Sequence, residues 1–188
     1  GFPLYMLFFS LLLPGASIYH LITKNNWLKK EYSKQEVYVQ QKDAFEKLGL
    51  YTKTVESNSR GYALTGNEQF LRNFNILFDS INSVGLQIKA SAITDETIAF
   101  SYAKLDSFID EKIRFLQKVN TLTAQNRDSA LLFFSGTEGF NLSDSISIYS
   151  GVIFQKFNQQ ISESKTSFWQ VKDTNNKIAY SSLAAALL

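Results

Sequence analysis

Acidic residues near position 110 are the first groups of this chain that could do chemistry. Asp106, Asp110 and Glu111 follow one another at helical spacing, so their carboxylates would lie close together on a helix. Such a set could act as an acid/base pair or bind a cation. A solvated helix face produces the same pattern and is the simpler interpretation. We therefore assign no catalytic residue here.

The composition excludes most other chemistry. The chain has no cysteine and one histidine, His20, which excludes thiol nucleophiles, His-based triads and multi-His metal sites. We expect no metal and no cofactor, and the question of an enzyme stays open because no catalytic site is found. With 19 basic and 17 acidic residues the formal net charge is +2, which is too balanced for nucleic acid to be the main partner.

The beginning of the chain is apolar. Residues 2–22 carry no charged side chain, and about 21 residues at 1.5 Å rise suffice to cross a bilayer. Lys24, Lys29 and Lys30 end this run, and Trp27 could anchor it at the interface. We predict a transmembrane helix at residues 1–23, with a signal sequence as the alternative.

The end of the chain is apolar as well. After Lys177 come eleven uncharged residues, IAYSSLAAALL. We interpret residues 178–188 as the start of a second transmembrane helix, and a non-native linker tail is the alternative. Because the first residue is Gly rather than Met, we expect a fragment or a processed product. The lysines after the first span do not fix its orientation, since residues before Gly1 would be needed for the comparison.

Residues 24–177 carry the periodicity of amphipathic helices. Proline is absent after Pro14, which is typical of long helices. Apolar residues recur three and four positions apart in three clear series and one weaker series. The clear series are Phe70, Phe74, Leu77, Ile81, Val84 and Ile88; Ile98, Tyr102, Leu105, Ile109, Ile113 and Leu116; and Ile146, Tyr149, Ile153, Phe157, Ile161, Phe168 and Val171, with Ser164 in one slot. The weaker series is Leu28, Tyr32, Val39, Phe45, Leu48, Thr52 and Val55. Four such segments predict an all-α fold: an antiparallel four-helix bundle whose long first and last helices continue into the transmembrane helices.

Capping residues predict the helix boundaries. Thr65-Gly66-Asn67-Glu68 fits a capping box in which Thr65 caps helix two and Glu68 reaches back to it. Helix two then covers about residues 67–90. Thr94, Asp95 and Glu96 place a cap and two carboxylates at the start of helix three, near residue 95.

The turn between helices three and four follows from closure. If both ends of the domain lie at one membrane, ascending and descending lengths must cancel. About 42 residues ascend in helix one and about 24 descend in helix two, so the last arm must exceed helix three by about 18 residues. This places the distal turn near residues 125–128, with Asn126 or Asp128 as cap. Gly136–Gly139 then interrupts the last arm, which restarts at Asn141 or Ser143.

Residues 56–72, ESNSRGYALTGNEQFLR, contain Arg60-Gly61-Tyr62, then Leu64-Thr65-Gly66, then an acidic and an aromatic residue. This pattern resembles the signature of the type-three CHASE domain, an extracytoplasmic four-helix sensor module of bacterial histidine kinases, cyclases and chemoreceptors. Residues 130–146 are similar to another segment of that family. The similarity there consists of Gly136 and Gly139, then Leu142, Asp144 and Ile146.

Two interpretations of the first motif remain open. In the structural one, Gly61 allows two helices to approach, Gly66 makes a tight turn, Leu64 closes the bundle end, and Thr65 is a cap. Tyr62 would bury its ring and keep its hydroxyl in water. In the functional one, Arg60, Tyr62 and Thr65 receive an anionic ligand or a partner protein. Arg60 is the one motif residue without an evident packing role.

The resemblance implies an extracytoplasmic sensor domain of a membrane-bound signalling receptor, most often a two-component sensor histidine kinase with its output module beyond Leu188. It also implies a homodimer in the inner membrane, with the sensor domain periplasmic or extracellular, and an unidentified small-molecule or protein stimulus. Helix shifts of ~1–2 Å would carry the signal across the membrane. The alternatives are a chemoreceptor ligand-binding bundle and a structural or assembly protein of the membrane.

Overall fold

The computed structural model describes the backbone of residues 4–186, and the side chains of residue 15 and residues 18–181. All regular structure in these residues is helical, which confirms the predicted all-α class. The five helices in chain order are α1 (Leu4–Thr65), α2 (Glu68–Ala90), α3 (Glu96–Gln125), α4 (Arg127–Phe134) and α5 (Thr137–Ala186).

The helices divide into two compact units. One unit consists of residues 40–158 and contains α2, α3, α4 and parts of α1 and α5. The other contains the remaining described parts of α1 and α5, which are residues 4–39 and 159–186.

Four helices share one core within residues 40–158. The ring of Phe45 on α1 meets Tyr102 of α3 edge-on at 5.3 Å and Phe157 of α5 at 5.6 Å. Tyr102 in turn donates its hydroxyl to the carbonyl of Gly85 on α2, at 3.1 Å. Helices α1, α2, α3 and α5 therefore surround a common interior, which is the arrangement of a four-helix bundle.

The predicted apolar series supply this core. All six residues of the second series are buried, as are Phe74, Ile81, Val84, Ile88, Ile153 and Phe157 of the other two clear series. Phe45, Leu48 and Val55 of the weaker series are also buried. The prediction is wrong for Tyr32 and Val39, whose side chains are exposed. Both belong to the unit built from two helical segments only, so most of the circumference of each helix has no helical neighbour there.

Short connections make successive helices antiparallel. At one end of the bundle, Gln41 of α1 donates to the carbonyl of Ala92 between α2 and α3, at 3.3 Å. At the other end, the guanidinium of Arg127 donates to the carbonyls of Ala63 and Leu64 in the last turn of α1. The α1–α2 turn and the α3–α4 turn therefore lie at the same end.

The predicted distal turn is confirmed. Helix α3 ends at Gln125, and Asn126 caps α4 by accepting the N–H of Ser129 at 3.1 Å. Phe115 of α3 stacks on Phe133 of α4 at 5.0 Å, so the chain has reversed between them. The bounds of α2 and α3 also agree with prediction, with Asp95 as the N-cap of α3.

The capping box at the start of α2 is a wrong prediction. Thr65 belongs to the last turn of α1, where its hydroxyl donates to the carbonyl of Gly61 at 2.7 Å. The N-cap is Asn67, which accepts the N–H of Gln69 at 2.9 Å. Gly66 explains the shift, because its φ of +70° ends α1 in the left-handed conformation and leaves the next residue to cap α2. Glu68 pairs with Arg72 at 3.7 Å instead of reaching back.

The restart of the last arm is also different from prediction. The helix resumes at Thr137, not at Asn141 or Ser143, so the break covers only Ser135 and Gly136. Gly139 therefore lies inside α5 rather than in an interruption.

Within the part of the chain described by the structure, no helix is both long and apolar enough to cross a bilayer. The predicted spans at residues 1–23 and 178–188 fall in part outside the described residues.

Candidate functional site

The three residues predicted to bind an anion do not converge. Tyr62 is buried, at 7% exposure, whereas Arg60 and Thr65 are exposed. The Thr65 hydroxyl is already used by Gly61 and by the N–H of Asn67, at 2.7 and 3.1 Å. Because successive residues rotate by roughly 100° around a helix, residues 60 and 62 point to different sides of α1. Anion binding by Arg60 stays a prediction.

Arg60 has a packing role that the sequence did not reveal. Its guanidinium lies 5.1 Å from the ring centroid of Phe134 on α4, and its Nη2 lies 3.9 Å from Oε1 of Glu56. The residue thus joins α1 to the short helix α4.

The motif glycine next to Arg60 is required by close packing. A Cβ on Gly61 would lie 2.7 Å from two ring carbons of Phe70 on α2, so only glycine allows this approach. The expectation that Leu64 closes the bundle end is wrong, since its side chain is 53% exposed. The core-facing residues in this part of α1 are instead the two before it, Tyr62 and Ala63, which are both buried.

The acidic residues near position 110 do not act together. Asp106 forms an ion pair with Lys89 of α2 at 2.8 Å, while Asp110 and Glu111 are exposed. Among the residues whose side chains are described, no group of three or more His, Asp and Glu could hold a metal ion.

Lys112 of α3 is the charged side chain that the bundle buries most deeply, with 1% exposure. Its Nζ lies 3.1 Å from Oε1 of Glu56 and donates to the carbonyl of Gly139 and to Oγ of Ser143, each at 2.8 Å. An ammonium has three N–H donors, so these three partners satisfy it completely.

Glu56, Lys112 and Ser143, which we call the ionic cluster, lie on three different helices. Ser143 of α5 also lies 3.2 Å from Oε2 of Glu56 on α1, which closes the cluster. A buried ion pair contributes little net stability, because desolvation offsets the attraction, but its loss is costly and its geometry is specific. The cluster therefore links α1, α3 and α5 at one level of the bundle.

A glycine is required at position 139 by its close packing against Phe115 of α3. Gly139 is buried, and a Cβ there would lie 2.9 Å from Cε1 of Phe115 and 3.0 Å from its Cζ. This close approach brings the Gly139 carbonyl within reach of Lys112. The interpretation of Gly139 as part of an interruption of the last arm is therefore wrong, because the residue lies within α5 and packs closely on α3. Gly136 does mark the α4–α5 break, and Asp144 is exposed beside the cluster.

Phe115 also lines a cleft of about 540 Å³ between α3, α4 and α5. Its apolar lining includes the rings of Phe108, Phe115 and Phe133, and its charged lining consists of Glu111, Arg114, Lys118 and Glu138. The Lys118 ammonium lies 4.5 Å from the centroid of the Phe133 ring. The volume lies within the roughly 300–1,000 Å³ typical of ligand pockets.

The sequence analysis did not select the ionic cluster. A signal was present, because Lys112 lies three positions after Ile109 and four before Leu116, on the apolar side of the second series. A lysine at such a position is buried with a partner or reaches out to water. Its partner Glu56 lies 56 positions earlier, where no local pattern indicates it.

A family model described as the CHASE3 domain matches residues 40–166 of the chain, which is most of its length. This match confirms the resemblance carried by the motif around Arg60. Neither the curated proteins nor the solved structures yielded a match. The chain therefore belongs to the CHASE3 domain family, whose members are extracytoplasmic sensor domains of signalling receptors.

Proposed function

We propose that this chain is the sensor part of a membrane-anchored receptor, namely a two-component sensor histidine kinase. Its response to the stimulus is a shift of α1 against α5. Family membership supports the sensor role. The apolar residues at both ends of the chain support membrane anchorage, because α1 and α5 lead toward them. The observation that carries the proposal is the ionic cluster, which connects these two helices through Lys112.

The cleft and the ionic cluster are connected through Phe115 and Gly139, and a signal could be transmitted through these contacts. Phe115 lines the cleft and touches Gly139, and the Gly139 carbonyl accepts from Lys112, which pairs with Glu56 on α1. An occupant that displaced the Phe115 ring would have to move α5 or break the Phe115–Gly139 contact, because the ring is enclosed by Gly139, Phe133 and Phe134. A shift of ~1–2 Å between α1 and α5 is the expected response.

The receptor is expected to work as a homodimer in the inner membrane, with the bundle on the periplasmic or extracellular side. Two-fold symmetry is the commonest arrangement of soluble oligomers and would bring two copies of the shifting helices together.

The test is the signalling output of the full-length receptor carrying changes in the ionic cluster. Lys112→Met should make the output insensitive to the stimulus, because α1 and α5 lose their common partner. Lys47→Met is the matched control, since Lys47 pairs with Asp43 on the surface of α1 at 2.6 Å. The double variant Glu56→Gln/Lys112→Met removes both charges and separates signalling from folding.

A stably folded double variant that responds like the unchanged receptor would contradict the proposal. Kinase activity as the output would support the histidine kinase, and receptor methylation would favour the chemoreceptor alternative. An output that no treatment changes would favour the structural alternative.

A further inference from the structure

We propose that the cleft between α3, α4 and α5 binds a small zwitterion with a flat apolar group, the chemical class of an aromatic α-amino acid. This inference rests on the proposed sensor function, because it names the class of ligand that the same site would detect.

The aromatic lining suits a flat apolar group. The rings of Phe115 and Phe133 stack at 5.0 Å with 25° between their planes, and Phe115 is also packed against Phe134 at 6.1 Å. Phe108 is held in a similar way, by stacking on Tyr149 at 5.7 Å. Phe108 and Phe133 are half-buried and held by these neighbours, so little side-chain freedom is lost when another ring packs on their exposed parts, beside the buried Phe115.

The positive side of the cleft suits a carboxylate. Arg114 and Lys118 are one helical turn apart on α3, so their charged ends can approach the same ligand. Arginine can bind a carboxylate through two parallel N–H bonds. Within the described side chains, neither cation has a carboxylate partner in an ion pair, and the Lys118 ammonium instead lies over the Phe133 ring.

The negative side of the cleft suits an ammonium group. Glu111 precedes Arg114 by one turn on α3, and Glu138 lies on the first turn of α5. Neither carboxylate is in an ion pair with any residue that the structure describes. Asn141 and Ser145 follow Glu138 along the α5 wall and add neutral donors and acceptors.

The balance of charge decides the class of ligand. Two cations and two carboxylates line one cleft, so a ligand with a single charge would satisfy one pair and place a like charge near the other. A zwitterion can satisfy both pairs, because each of its charges has an opposite partner. The volume of about 540 Å³ accommodates a molecule of amino-acid size.

Isothermal titration calorimetry of the full chain tests the proposal with L-phenylalanine as the probe. Three analogues each lack one feature: 3-phenylpropionate has no ammonium, 2-phenylethylamine has no carboxylate, and L-alanine has no ring. We expect L-phenylalanine to bind at least roughly tenfold more tightly than each analogue, since a lost charge-assisted bond, or the lost burial of a ring, weakens binding by at least about that factor. Equal affinity for either one-charge analogue would overturn the zwitterion assignment, as would no binding of any probe at millimolar concentration.

Two arginine variants locate the binding. Arg114→Gln should weaken L-phenylalanine binding roughly tenfold but should not weaken 2-phenylethylamine binding, because that analogue has no carboxylate for Arg114 to bind. Arg72→Gln, at an exposed arginine of α2 outside the cleft, should change neither affinity. Unchanged thermal unfolding of both variants would show that they fold. Equal effects of the two variants, or none from Arg114→Gln, would overturn the assignment to this cleft.

This result is separable from the sensor proposal. If no probe binds but the full-length receptor still loses its response with Lys112→Met, the ligand class is wrong and the sensor proposal stands. If L-phenylalanine binds in the cleft but changes in the ionic cluster leave the response of the full-length receptor unaltered, the ligand class stands and the signal path is wrong.

Discussion

Gly139 of α5 lies against the ring of Phe115 of α3 with no room for even one more carbon atom. A Cβ on Gly139 would lie 2.9 Å from Cε1 of Phe115. The ring cannot retreat easily, because it is 4% exposed and packed against Phe133 and Phe134. The contact therefore fixes how closely α5 approaches α3.

Replacing this glycine should be destabilising, whereas the same replacement elsewhere in α5 should not. Gly139→Ala is expected to lower the free energy of unfolding by about 1–3 kcal/mol, because it overpacks the α3–α5 contact. Gly151 has nothing within 4 Å of an added Cβ, so Gly151→Ala should raise it by about 0.5–1 kcal/mol. Urea denaturation measures both, and equal effects would contradict the contact.

Removing the buried cation should destabilise the bundle more than removing an exposed one. Lys112→Met leaves the Glu56 carboxylate without its closest cation, and we expect a loss of about 2–3 kcal/mol, since Glu56 keeps partial contact with water and its weaker partners Arg60 and Ser143. Glu56→Gln/Lys112→Met should recover part of this loss, because no unpaired charge remains. Lys47→Met, at an exposed pair, should have no measurable effect. Chemical denaturation of the three variants would reveal a different order if the cluster were not buried.

Stability should fall in alkaline solution because of Tyr102. Burial, followed by the negative charge of Asp106, raises the pKa of Tyr102 well above its ordinary value of 10.0. A raised pKa in the folded state means that this stabilisation is complete below pH about 10 and is lost as the pH rises above it, since only the unfolded chain then releases the proton.

Tyr102→Phe should remove that part of the alkaline loss. Below pH about 10 it should cost about 1 kcal/mol for the hydrogen bond to Gly85. The exposed Tyr32 gives the matched variant Tyr32→Phe, which should leave the pH dependence unchanged. The free energy of unfolding, measured by denaturation at pH 8 and at pH 11, separates these cases. If it falls by the same amount between the two pH values in the wild-type protein and in Tyr102→Phe, Tyr102 is not the source of the alkaline loss.

The correction at the start of α2 can be tested by comparing two caps. Asn67→Ala should lower the free energy of unfolding by about 1 kcal/mol, because the N–H of Gln69 loses its acceptor. Thr65→Ala should cost less, since Thr65 lies in the last turn of α1, where alanine is the better helix former, and it caps no N–H of α2. Thermal unfolding of the two variants would show the reverse order if Thr65 were the cap.

The helices and their core faces were predictable because burial in a helix repeats along the chain. Ile98 through Leu116 keep spacings of three and four, and all six positions are buried. The cap of α2 was missed by two residues because the prediction did not anticipate that Gly66 would adopt a positive φ and end α1.

The sequence by itself determined the all-helical class and the family, since these depend on local spacing and on a contiguous motif. It also placed the reversal at Asn126, because the lengths of the ascending and descending helices must cancel. Only the tertiary structure decided which polar groups meet: Glu56, Lys112 and Ser143 are far apart in the chain and come together through the register of three helices. That register depends on side-chain packing, such as Phe115 against Gly139, and packing between distant segments leaves no period in the sequence.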